Sequence, residues 1–158
     1  MNQQEFSQLC RDTCIALRVS DKDLLATEGN LYVDGINIQL VFDEIFSNDR
    51  IVCICEIGKI QNELKEKIFE SLLMLNFLTG GKTTGTFAID PLRQCASFVV
   101  TLTEPDNLSA DQLAELLQCY ARRNSYLQKT LFRDGELDFS ADLDVEAIDS
   151  FSNTMQFA

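Results

Sequence analysis

Between Leu64 and Leu102 the apolar residues change period, and that change predicts the centre of the fold. Leu64, Ile68, Leu72 and Leu75 recur at helical spacing on one face. Phe69, Leu73 and Phe77 form a second stripe, with Met74 and Leu78 filling much of the gap. The pattern predicts a helix capped at about Asn62 and stopped at Gly80-Gly81, the residue type that ends helices by taking positive φ. A helix apolar on all sides is buried on all sides. It is either the central helix of a single core or a helix shared with a second copy of the chain. The second is favoured, because the remaining elements offer one sheet to cover it. Thr84 to Ile89 and Cys95 to Leu102 then read as an antiparallel strand pair, joined by a turn on Asp90-Pro91-Leu92-Arg93-Gln94.

Upstream, Asn2 and Glu5 have capping-box spacing, and Phe6, Leu9, Cys10, Thr13 and Leu17 make the stripe of a first helix ending near Val19. Ile15 sits alone on its polar side, where it is either unremarkable or a contact for a partner. A polar connector, residues 20–29, leads to Leu31-Tyr32-Val33 and then Asp34-Gly35, a two-residue hairpin signal. Ile36, Ile38, Leu40 and Phe42 alternate with Asn37, Gln39 and Val41 in the second strand. After a turn at Ser47-Asn48-Asp49, Ile51, Cys53, Cys55 and Ile57 share one side of a third strand. Val52 and Ile54 share the other side with Glu56, so the outer face of this sheet is partly apolar. Near the end, Pro105 and a Ser109–Gln112 capping box introduce a long helix. Its stripe is Leu113, Leu116, Leu117, Tyr120, Asn124, Leu127 and Leu131, with Glu115, Arg122 and Lys129 opposite. The predicted fold is α+β, in the order helix, three strands, helix, two strands, helix. It is a twisted antiparallel sheet with helices packed against it, dimerising through the central helix region.

Composition narrows the function classes. A chain of 158 residues with 46% apolar residues suits one globular domain. No apolar run is long enough to span a bilayer, so membrane insertion is not expected. The first twelve residues lack the basic and apolar regions of a signal peptide. Residues 1–133, the expected domain, hold all 13 basic residues and 18 acidic ones; residues 134–158 hold seven acidic residues and no basic one, an acidic tail expected to be frayed or partner-dependent. Without a basic patch, nucleic-acid binding is disfavoured. Six cysteines among apolar neighbours, without Cys-x-x-Cys pairs or any histidine, point to reduced thiols rather than a metal site or disulfides.

The hairpin Leu31-Tyr32-Val33-Asp34-Gly35, the run Ser71-Leu72-Leu73-Met74-Leu75-Asn76, Gly80-Gly81, the strand end Phe87-Ala88-Ile89-Asp90 and the closing amphipathic helix together resemble the class I type III secretion chaperones, the Tir chaperone family. The likeness covers about residues 2–132. Two features depart from it: the last helix has no tryptophan, and the acidic tail is unusually long. The resemblance implies a homodimer in the bacterial cytoplasm that binds one secreted effector protein. It would keep the effector's N-terminal segment unfolded and deliver it for secretion without nucleotide or other cofactor. Matched to the family, Leu73, Met74, Phe77 and Leu78 become candidates for the dimer interface, and Ile15, Val41, Val52 and Ile54 for effector contacts. β-branched residues also suit strands with no partner at all.

Catalytic readings find little support in the residues. Gly80-Gly81-Lys82-Thr83 ends like a phosphate-binding loop but closes a helix and precedes a strand, the reverse of what that loop requires. Asp43-Glu44 reads as a solvated turn, and Cys53 or Cys55 as nucleophile would lack a base and an electropositive setting beside Glu56. The expectation is a protein that is not an enzyme. Two alternatives stay open: a regulator of the same fold that holds a folded protein, and a domain using its apolar centre as a small-ligand pocket.

Overall fold

The computed structural model describes residues 1–45, 47–80 and 85–134. Its elements are α1 (Gln3–Ala16), α2 (Leu24–Glu28), β1 (Asn30–Val33), β2 (Ile36–Asp43), β3 (Ser47–Lys59), α3 (Lys65–Thr79), β4 (Gly85–Asp90), β5 (Cys95–Thr103) and α4 (Ala110–Asp134). The fold is α+β. The five strands form one antiparallel sheet in the order β1-β2-β3-β5-β4.

The alternation of side chains decides which face of the sheet is covered. Ile38 and Leu40 of β2 pair with Cys55 and Cys53 of β3, and these with Phe98 and Val100 of β5, with Ile36 and Ile51 on the same face by alternation. All are buried, in one core with the inward residues of α1, α3 and α4. Between β1 and β2, Asp34 (φ 47°) and Gly35 (φ 82°) form the predicted tight turn with both residues left-handed, which matches the twist of the strands it joins. Gly85 faces inward opposite Val100, and a Cβ there would overlap the Phe98 ring. Phe98 packs against Phe87 in a tilted arrangement at 4.9 Å and meets Tyr120 of α4 edge-on at 6.0 Å, so this ring ties sheet to helix.

Both capping boxes form. Asn2 Oδ1 accepts the Gln4 and Glu5 amides while Glu5 accepts the Asn2 amide, and Ser109 and Gln112 exchange the equivalent pair of bonds. Several boundaries differ from expectation. α1 stops at Ala16, where Arg18 turns left-handed (φ 58°), not near Val19. The polar connector contains α2, closed by Gly29 at φ 68°. Ser47, Asn48 and Asp49 open β3 instead of making a turn, because Ser47 pairs with Asp43 at the end of β2 and Arg50 with Thr103 of β5. Asn62 begins a single 3-10 turn and caps nothing with its side chain; the α-helix starts at Lys65. Gly80 ends α3 at φ −54°, without positive φ. Gly81, the Lys82-Thr83 pair and Thr84 lie outside the described residues, as does the acidic tail beyond Asp134.

Candidate interaction surfaces

One side chain of α3 hydrogen-bonds to the backbone of the sheet edge. Asn76 accepts the Phe87 amide at 2.8 Å and donates to the Phe87 carbonyl at 2.9 Å, so its amide group pairs with the outer edge of β4 as a neighbouring strand would. Ile68, Leu72 and Leu75 enter the core on the same side. With the helix held in that rotation, Leu73 (69% exposed), Met74 (42%), Phe77 (85%) and Leu78 (37%) face away from the sheet. These are the four residues expected at a dimer interface, and the structure gathers them on one exposed helix face. Isolated exposed apolar residues are ordinary, but four in one and a half turns, led by a phenylalanine, make a patch.

The outer face of the sheet carries three of the four expected effector contacts. Val41 pairs with Val52 across β2 and β3, and Ile54 lies between Gln39 and Val99. Towards the β4–β5 turn this face becomes polar: Asn37 donates to Glu56 at 3.2 Å, and Arg93 reaches Glu56 at 3.5 Å and Asp90 at 3.7 Å. Ile15 is 59% exposed but sits on α1, in the helix layer behind the sheet. The structure therefore does not bring it together with the other three.

A feature that sequence reading missed lies along α1. A groove of about 580 Å³ runs between α1 and the segment entering α4, with Leu9, Pro105 and Leu108 below and Glu5, Asp12 and Asp106 among its walls. The signal was present as acidic residues seven apart on one helix face, but the strand-to-helix connection that forms the other wall has no periodic pattern. The Met1 amine lies 2.6 Å from Asp106, and that carboxylate's hydrogen bond raises the amine's pKa.

The titratable groups in the core are held neutral or stacked. Burial pushes the Cys10 thiol up to about 12, and burial with the nearby Glu56 charge does the same for Cys95. Cys53 and Cys55 have sulfurs 3.9 Å apart, and that contact and their burial raise the Cys53 pKa well above the ordinary thiol value. Arg123 lies over the Phe98 and Phe87 rings at 4.6 and 5.2 Å, and loss of solvent lowers its pKa. Asp43 and Glu44 serve the backbone, accepting the Ile45 and Gln3 amides. No group of three or more His, Cys, Asp or Glu side chains is placed to hold a metal among the described residues. No helix among them is long and apolar enough to cross a membrane.

No protein-family model and no curated protein matches the sequence. A solved structure does match: the crystal structure of the ExsC-ExsE complex, with a TM-score of 0.63 over 82% of this chain and 95% of that one. The shared property is the fold. At 14% identity nothing more specific carries across.

Proposed function

We propose that this chain is a homodimeric type III secretion chaperone of the bacterial cytoplasm, which holds an extended segment of a secreted effector and passes it on without catalysis. The observation that carries the reading is the apolar α3 face, presented to solvent by the Asn76 clamp in a fold shared with a chain from a two-protein complex. An uncharged, self-complementary patch on one helix suits a twofold contact, in which each copy covers the other's Phe77. Dimerisation leaves the outer face of the sheet free, and Val41, Val52 and Ile54 give an extended segment apolar footholds there. An unfolded segment is retained by many small contacts, since ordering it costs entropy at each residue.

A regulator holding a folded protein would use the same surfaces, and hydrogen exchange separates the two. In the complex with the native partner, an extended effector segment shows protection confined to the stretch lying on the chaperone, with rapid exchange elsewhere in its bound region. Uniform slow exchange across a folded partner domain would contradict the chaperone reading and favour the regulator. The small-ligand alternative has less support, because the groove beside α1 is lined by carboxylates and open to solvent, unlike an apolar enclosed pocket.

A further inference from the structure

The outer face of the sheet carries an apolar strip, and the chain's own C-terminal sequence has the pattern to cover it. Val41 is 41% exposed, and Val52, Ile54 and Val99 beside it are half-buried. Residues 136–147 alternate at every position. The six odd positions, Leu137 to Ala147, are all apolar, and five of the six even ones, Glu136 to Glu146, are acidic. A period of two puts the apolar residues on one side of an extended chain and the acids on the other. Such a segment suits a flat apolar surface, with its charges left in water.

α4 ends where this segment can reach the strip. Gln128 Nε2 donates to the Ile57 carbonyl at 2.6 Å, and the Phe132 ring packs so close to Gly58 that a Cβ there would lie 3.1 Å from it. The last turn of α4 is therefore beside the end of β3. Lys59 closes β3 and pairs with Cys95, which lines the outer face together with Glu56 and Arg93. Arg93 is shared between Glu56 and Asp90, whereas Lys59 is exposed and has no ion pair among the described residues. It is a free cation at the root of an acidic segment. Three extended residues span about 10 Å, enough to carry the chain from Asp134 round the end of the sheet. Back along β3, Ile54 and Val52 lie five and seven residues from Lys59, or about 17 and 23 Å. Leu143 and Val145 lie six and eight residues beyond Leu137, or about 20 and 26 Å when extended. The two pairs match within one residue and share the same spacing.

We propose that residues 136–147 lie extended along the outer face of the sheet, with their apolar side on Val41, Val52 and Ile54, as an occupant that a partner segment must displace. The seat follows from the chain's own pattern; the displacement rests on the reading that this face holds a partner polypeptide. The strip is small, but tethering makes a small contact sufficient. A segment joined by a few residues is held at an effective concentration on the order of 1 mM, so a contact with a Kd of about 0.2 mM seats it about five-sixths of the time. Any reaction that needs the segment free is then slowed about sixfold. The same weakness lets an effector segment that makes more contacts take its place.

The test uses the full chain, as wild type and with Phe139→Ser and Leu143→Ser together, substitutions that touch nothing in the described core. Methyl NOEs are expected between Leu143 or Val145 and Val52 or Ile54. In the double variant these vanish, amide shifts change at residues 39–41, 52–54 and 97–101, and cleavage after Glu146 by a glutamate-specific protease speeds up about fivefold. Ile54→Ser should speed the same cleavage, whereas Asp142→Ser with Asp144→Ser, on the solvent side, should leave it within twofold. Equal cleavage of the wild type and the double variant without these NOEs would overturn the inference. So would shift changes confined to α1 or α3, or NOEs found only between differently labelled copies of the chain. Native-partner affinity is measured on the same proteins and should rise about fivefold in the double variant. A seated segment with unchanged partner affinity overturns the displacement and counts against the sheet face as the partner's site. An unseated segment in a protein whose partner still protects that face overturns the inference and leaves the proposed function standing.

Discussion

Gly85 shows how a single atom can be decisive. Its inward position opposite Val100 is filled by the Phe98 ring, so Gly85→Ala must push that ring away from Phe87 and Tyr120. Overpacking of this kind costs about 1–3 kcal/mol, expected as a lower urea midpoint at unchanged slope. Cys10 gives a pH dependence with a definite sign. Burial raises its pKa from 9.0 to about 12, so the native state keeps a proton that the unfolded chain releases. Its contribution is fully present below pH 9 and is lost as pH rises towards 12. Urea midpoints should therefore fall between pH 8 and 10.5, and less steeply for Cys10→Ala; identical slopes would show that this thiol does not drive the loss. The burial of Cys10, Cys53 and Cys55 was legible in the sequence, because each sits in an apolar stripe. The placing of Arg123 over two rings was not, because its helix position looks solvent-facing until the aromatic pair beneath it is known.

The elements were largely readable from period alone, and the exceptions have physical causes. α2 is a single short turn of helix in a polar connector, too brief to show a stripe. The turn expected at Ser47-Asn48-Asp49 has the right residue types, but Ser47 pairs with Asp43 of β2 and Arg50 with Thr103 of β5, so the stretch between them continues β3. For α3, the sequence showed two apolar stripes and favoured a second copy as the cover of one; the structure buries the first and, of the second, exposes Leu73 and Phe77 while Phe69 packs half-buried against the core. The buried stripe is accompanied by Asn76, whose clamp on Phe87 has no signature in a hydrophobic pattern. Asn76→Leu removes both bonds, and Asn76→Asp sets a carboxylate against the Phe87 carbonyl. Each is expected to cost about 1–3 kcal/mol and to speed hydrogen exchange of the Phe87 amide. If that amide stayed as protected as in the wild type, the clamp would not be what holds the β4 edge.

As a whole, the molecule is a sheet with helices on one face, and its opposite face and the outer side of α3 are left to other surfaces. The four α3 residues were named from the family resemblance, and the fold was legible from spacing. The division of the effector candidates was not, since Ile15 and the Val41-Val52-Ile54 strip are separated by the sheet itself. The groove beside α1 was not legible either, because it forms between segments about ninety residues apart. The central claim is that the α3 face is covered by a second copy, and the most direct test is the solution mass by light scattering of the wild type and of Phe77→Asp. Phe77 is exposed in the single chain, so the substitution removes nothing from the core, and circular dichroism should be unchanged. The account predicts twice the 17.8 kDa chain mass for the wild type and the single-chain mass for Phe77→Asp. A monomeric wild type, or a dimer indifferent to a carboxylate at position 77, would contradict it.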